Sequence, residues 1–282
     1  MSRLFVGALS ASLLLALPAH AHGVVGARFF PATVATEDPF AADELALPTI
    51  TLGQDGEAYE AEWSKTVVKG FSLSVGAGYE NAAHGGPSGF SNFEITPTWQ
   101  FLTDPDGEFV ASAAFGIEIG GSGASTVAEP FSTYTPRLLF GKGFGGLPDS
   151  MALLRPLAIT GVVGYAIPGD GAEPNTVEWG GAIEYSLRYL QTNVRDQGFS
   201  QFVAQLTPVV EFDFRSPDNA GTTGTINPGL IWSGQQVQLA AEAVIPVNSA
   251  SGNTVGAMLQ LHFYMDDIFP HSLGTPIFGG NH

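Results

Sequence analysis

Ten charged side chains and one histidine of this 282-residue chain stand at positions where apolar residues alternate with them: Glu94, Glu118, Glu178, Glu184, Glu211, Asp213 and Glu242, then Arg137, Arg188 and Arg215, and His262. Acids and arginines that face a common interior can do one of two things. They can line a water-filled passage whose acidic excess favours cations or neutral solutes over anions, as charged rings do in pores. Or they can pair with one another as a structural network that fills a narrow interior. The residues by themselves leave both open.

The elements that must position them are strands. In the last hairpin, Leu239, Ala241, Ala243, Ile245 and Val247 alternate with Gln236, Gln238, Ala240 and Glu242. After Asn248 to Asn253 the pattern resumes, with Val255, Ala257, Leu259, Leu261 and Phe263 opposing Met258, Gln260, His262 and Tyr264. Period-two alternation over about 9 to 11 residues matches a tilted strand that crosses a bilayer. Upstream, Tyr59, Ala61 and Trp63 oppose Glu60, Glu62 and Ser64, and Phe71, Leu73, Val75, Ala77 and Tyr79 oppose serines and glycines. Phe93, Ile95, Trp99 and Phe101 oppose Glu94 and Gln100, and Phe109, Ala111, Ala113, Phe115 and Ile117 oppose Ser112 and Glu118. One rule runs through them: apolar on one face, small, polar or acidic on the other. The pattern weakens at 133–144, where Arg137 is the inward candidate, and at 154–167, where both faces are apolar or small. It returns at 177–189 with Glu178, Glu184 and Arg188 inward, at 201–215, and at 226–232.

Eleven strands are readable from Glu57 onward, and a twelfth is expected at 45–52 because single-chain barrels have even strand counts. The expected fold is therefore all-β: a transmembrane antiparallel up-and-down barrel of about twelve strands. The expected division is a cleaved signal peptide over 1–21, an irregular N-terminal segment over 22–44 as a candidate plug, the barrel over 45–265 and a tail over 266–282. Arg3, an apolar stretch from Leu4 to Leu17 and Ala19-His20-Ala21 carry the leader reading. The tight connections 67–70, 104–107 and 233–235 alternate with long Gly-, Pro- and Ser-rich ones, placing short turns on the periplasmic side. Two connections on that side, 145–153 and 191–198, are longer and are expected to hold short helical turns. Pro97, Pro136, Pro156, Pro208, Pro228 and Pro246 fall inside expected strands, where each removes a ladder donor.

Composition fits and excludes. Charged residues are 13% and glycines 36, unlike a soluble surface. A net charge of −17 with no basic stripe argues against nucleic acid. Cysteine is absent, which removes thiol nucleophiles and Cys-rich metal sites. His22 could offer an imidazole and a free amine to copper but has no neighbouring histidine, His84 lies in a Gly-rich outer loop, and neither metal nor cofactor is expected. No histidine stands near a Ser or Asp in a pattern recognisable as that of a barrel hydrolase, and neighbours across strands are not visible in sequence. Gly141-Lys142-Gly143-Phe144-Gly145-Gly146 lacks the ending of a phosphate loop, and its glycines suit a bent strand end. Tyr79, Trp99, Tyr134, Tyr165, Trp179, Tyr189 and Trp232 fit interfacial girdles.

Five segments carry a resemblance: Phe101-Leu102-Thr103-Asp104-Pro105, Leu147-Pro148-Asp149-Ser150, Arg155-Pro156-Leu157-Ala158-Ile159-Thr160-Gly161, Gly224-Thr225-Ile226-Asn227-Pro228-Gly229, and the run from Gln260 to Pro270. The chain resembles a group of largely uncharacterised proteobacterial outer-membrane proteins described as transporters, similar in kind to the uptake barrels of phenol meta-cleavage pathways. The resemblance implies a barrel and an envelope location and carries over no catalytic residue or substrate; with the leader, which implies Sec export, the expected location is the outer membrane of a Gram-negative bacterium. The functional expectation is a passive channel or uptake barrel for small solutes, with lipid as its surroundings and its oligomeric state open. A closed structural or sensing barrel is the alternative, which a lumen filled by the N-terminal segment would support; a barrel enzyme is the remote third.

Overall fold

The computed structural model describes residues 23–279. The leader expected over 1–21, His20, His22 and His282 lie outside them. Twelve long strands run antiparallel: β1 (Glu44–Gly53), β2 (Gly56–Val68), β3 (Phe71–Ala82), β4 (Glu94–Asp104), β5 (Phe109–Glu118), β6 (Thr133–Gly143), β7 (Leu157–Pro168), β8 (Thr176–Tyr185), β9 (Leu206–Pro217), β10 (Thr223–Ser233), β11 (Val237–Pro246) and β12 (Gly256–Tyr264). Each pairs with its neighbours in sequence, and β12 pairs with β1, so the sheet closes. Closure leaves no unpaired edge, which is the condition a sheet must meet in hydrocarbon.

Side-chain alternation decides the two faces. Outward residues stay exposed although apolar: Trp99 is 58% exposed, Leu138 59%, Leu239 50%. Inward residues on the same strands, among them Ser72, Thr98, Ser112, Gln238 and Gln260, are buried. The barrel is thus apolar outside and polar over much of its interior, the inverse of a soluble domain.

The prolines fall where the ladder tolerates them. Pro97, Pro136 and Pro228 keep a partner on one side (Leu73, Phe115 and Val210), while the ladder on the other side skips their positions. Pro208 lies just beyond the end of the β8–β9 ladder, Pro246 ends β11, and Pro156 precedes β7. Pro48 sits in a register shift between β1 and β2. A missing N–H costs little where no carbonyl faces it.

The barrel has two unlike ends. At one end, where β1 begins and β12 finishes, three connections are tight and two hold helical turns: Asp149–Leu154 in one, Leu187–Tyr189, Leu190–Val194 and Gln201–Ala204 in the other. We call this the turn end. Here the structure corrects three expectations. Arg188 does not line the lumen, because β8 stops at Tyr185 and Ser186 caps a helical turn that carries Arg188 out into solvent. Residues 201–204 are helical, so β9 starts at Leu206. Tyr189 is no girdle residue; it is buried beneath the N-terminal segment. At the far end the longer loops gather, and Ser88–Phe90 folds back on the end of β3. After β12, the helical turn Met265–Ile268 leads a tail back along β2, where Ile277 and Phe278 donate to the carbonyls of Thr66 and Val67 at 3.1 and 2.9 Å.

Candidate functional site

Residues 23–43 lie inside the barrel. They enter the lumen at the turn end, rise to mid-height at 33–38, and descend to β1. A two-residue pairing, Val24–Val25 with Arg28–Phe29, stiffens the entry. The wall explains why the segment sits there. In the turn-end half, many inward positions are apolar: Val110 and Ala158 enclose Val25 and Phe30, while Ala182, Val209, Ile231 and Ala240 pack against Val34. A water-filled lumen would not carry such residues, and burying a phenylalanine such as Phe30 is worth about 1.5–3 kcal/mol.

Polar contacts fix the plug at three heights. At the turn end, the wholly buried Arg28 lies 3.4 Å from Glu108 Oε2, donates to the carbonyls of Pro156 and Arg155, and sits 3.9 Å over the Tyr189 ring. Glu108 also accepts from Gly145 N–H and the Tyr189 hydroxyl, at 3.0 and 2.9 Å. Burial works against the charge of Arg28, and Glu108 offsets it. At mid-height, the Glu211 carboxylate accepts the backbone N–H groups of Val34, Ala35 and Thr36 at 2.7, 2.9 and 2.9 Å, and the Thr36 hydroxyl at 3.0 Å. On the descent, Ser112 and Ser64 donate to the carbonyls of Pro39 and Ala42, and Asp43 pairs with Lys65 at 2.5 Å.

Above the plug the wall changes character. A cavity of about 530 Å³ is lined by Glu44, Glu60, Glu62, Glu94, Glu178 and Asp213 from the strands and Glu37 and Asp38 from the plug, against Arg137, Arg215 and His262. Eight carboxyls therefore face two guanidiniums and one imidazole. Arg137 is shared by Glu94 at 2.7 Å, Glu37 at 3.0 Å and Glu178 at 3.9 Å, so it bridges plug and two sides of the wall. Arg215 pairs with Glu178 at 2.5 Å, and His262 Nε2 lies 3.2 Å from Glu44 Oε2. Glu60, Glu62, Asp213 and Asp38 form no ion pair among the described residues, and the first two stand together on β2. Burial raises the Glu37 carboxyl to about 7, against the pull of Arg137 and helped by Glu94, Glu62 and Glu178. It raises Asp38 to about 8, aided by Glu44 and Glu62 and opposed by the Phe40 N–H and by His262.

The residues singled out from sequence thus divide into groups. Glu94, Arg137, Glu178, Asp213, Arg215 and His262 line the cavity. Glu184, Glu211 and Glu242 point inward but are buried at plug height, 2%, 0% and 4% exposed. Glu118 stands at the far rim, accepting from Asn92 at 2.9 Å, and Arg188 is outside the wall. Sequence reasoning passed over Glu60 and Glu62 as site residues, although the alternation that turns Glu94 inward turns them inward too. It also passed over Glu37, Asp38, Arg28 and Glu108, which stand in irregular chain without periodicity.

Known structures share this architecture. The KdgM porin superposes with a TM-score of 0.51 at 14% identity, covering 78% of this chain and 98% of that one. The NanC porin gives 0.50 at 11%, covering 78% and 98%, and an outer-membrane channel from Pseudomonas putida F1 gives 0.50 at 11%, covering 84% and 98%. A second KdgM porin structure, in complex with disordered oligogalacturonate, gives 0.50 at 14%, covering 78% and 98%. At such identities the likeness is one of fold: a closed twelve-strand barrel of the outer-membrane porin kind. No family model matches the chain, and no curated protein matches it in sequence.

Proposed function

We propose that the protein is an outer-membrane channel for small cationic or neutral solutes, exported through the Sec pathway, with residues 23–43 as a plug that restricts the turn-end half of its lumen. The observation that carries this is the composition of the open cavity, in which Glu60 and Glu62 hold charge that no arginine offsets. In a water-filled space enclosed by protein, such charge raises the local concentration of cations. An acidic sugar of the kind bound by the KdgM porin would meet repulsion here. Porin-like neighbours and the resemblance to proteobacterial uptake barrels support the channel class and its outer-membrane setting.

A second reading is favoured by the plug itself. The buried hold of Glu211 on residues 34–36 suits a barrel that stays closed and senses or binds a partner. Planar-bilayer recordings of the refolded chain separate the two. The channel reading expects discrete cation-selective steps whose selectivity, taken from the reversal potential, falls in Glu60→Gln/Glu62→Gln. A folded barrel that stays silent would overturn it in favour of the closed form.

A further inference from the structure

The two helical connections at the turn end present apolar side chains that stay largely exposed. Leu153 and Phe202 are each 62% exposed, and Met151 and Leu154 are 42%. They do not face the lumen. The Tyr185 hydroxyl, at the end of the outward row of β8, donates to the Leu153 carbonyl at 3.0 Å. The Phe202 ring stacks on Trp232, at the end of the outward row of β10, with centroids 5.8 Å apart. The apolar turns therefore continue the apolar outer wall of the barrel past the ends of its strands.

Charge on these turns is distinctive as well. Arg188 and Arg195 are exposed and form no ion pair among the described residues. Asp149 is occupied by Arg155 at 2.7 Å, and Asp196 accepts the Gly198 N–H at 2.8 Å. The far-end loops are the opposite: Asp55, Glu129, Asp170, Glu173 and Asp218 stand there with no lysine or arginine among the described residues, and Glu80 lies near them in β3.

We propose that these two connections form a flange that docks on the headgroup layer of an anionic phospholipid leaflet, with Leu153 and Phe202 inserted and Arg188 and Arg195 on lipid phosphates. Short amphipathic elements with apolar residues beside cations bind such interfaces by combining burial with attraction to anionic lipid. Arginine suits the role because its planar fork meets phosphate oxygens in pairs. The inference rests on the reading that the barrel spans a bilayer.

The chain contains no cysteine, so single-cysteine variants label cleanly. The full barrel would be refolded into vesicles of phosphatidylethanolamine and phosphatidylglycerol carrying an environment-sensitive dye at Leu153→Cys, Phe202→Cys, Ser150→Cys or Val163→Cys. Val163 reports the outer wall and Ser150 the solvent-exposed part of the same connection. The flange predicts that labels at 153 and 202 are quenched by lipids spin-labelled near the headgroup and are several-fold less open to iodide than the label at 150. It also predicts that Arg188→Gln/Arg195→Gln lowers that lipid quenching several-fold. If the 163 label is buried while 153 and 202 match 150, or if the arginine changes have no effect, the flange is overturned and the barrel reading stands. A 163 label open to iodide would overturn both.

Discussion

Thr36 is tied to Glu211 twice, by its backbone N–H at 2.9 Å and by its hydroxyl at 3.0 Å. Glu211 is fully buried in β9 and Thr36 belongs to the plug, so a single wall carboxylate meets the plug at its highest point. Three consecutive amides converging on one carboxylate form an anion nest. Beside it, Ala182, Val209, Ile231 and Ala240 give Val34 apolar contact, Gln238 donates to the Ala32 carbonyl at 2.8 Å, and Arg137 pairs with Glu37 at 3.0 Å.

Glu211→Gln is therefore expected to loosen residues 34–36. Hydrogen bonds to a charged partner contribute about 1.5–3 kcal/mol each, and an amide oxygen on a side chain that also presents donors replaces them poorly. Amide exchange at residues 34–36 would quicken, and conductance would rise if the plug is what limits it. Unchanged exchange protection would show that the Glu211 carboxylate is not what seats residues 34–36.

The glycines of the Gly141 to Gly146 run make a sharper comparison. A Cβ at Gly143 would collide with the Glu108 carboxylate and come within 2.8 Å of Arg28 Nε, whereas a Cβ at Gly146 would meet nothing within 4 Å. Gly143→Ala should disturb the Arg28–Glu108 contact and lower the melting temperature of the barrel, and Gly146→Ala should leave it in place. Breaking a buried ion pair typically costs about 3–5 kcal/mol, so the two variants should separate clearly. Equal melting temperatures would refute the close approach as the reason for glycine at 143.

Seating of the plug should depend on pH through Glu37 and Asp38, which lie outside the spanning strands. In the seated plug their carboxyls titrate near 7 and 8, above the ordinary 4.5 and 3.8. Raised acids favour the protonated form, so seating is strongest below the ordinary values. It weakens as pH rises through the window from about 4 to about 8, where the unseated segment ionises first. Glu37 keeps 43% of its side chain open to lumenal water and pairs with Arg137, so its share is the smaller. Exchange protection at residues 34–38 should fall across that window and level off in Glu37→Gln/Asp38→Asn. His262, Glu44, Glu62, Glu94 and Glu178 face the pair and remain in that variant, so a slope that persists unchanged would assign the dependence to them.

Period two in the sequence determined most of the wall. Residues such as Trp99 and Leu239 had to face outward and Glu94 and His262 inward, because a strand turns successive side chains to opposite faces whatever the rest of the chain does. Parity and loop lengths carried the strand count. The helical turn at Arg188 escaped this logic, since Leu187 and Tyr189 keep the alternation while Ser186 caps a turn in its place.

What the interior contains was decided only by tertiary structure. Residues 23–43 have no periodicity, and their place depends on meeting Val110, Ala158, Val209 and Ile231, which come from four strands, all distant in sequence from the segment itself. The apolar or small character of both faces at 154–167 was the trace this left in the sequence, visible but unreadable without a partner to explain it. Likewise Arg28 and Glu108 are separated by 80 residues, and nothing local marks either. Strand geometry is a local property and can be read from a run of ten residues; a buried ion pair or a filled lumen is a meeting of distant segments, fixed only when the barrel closes around them.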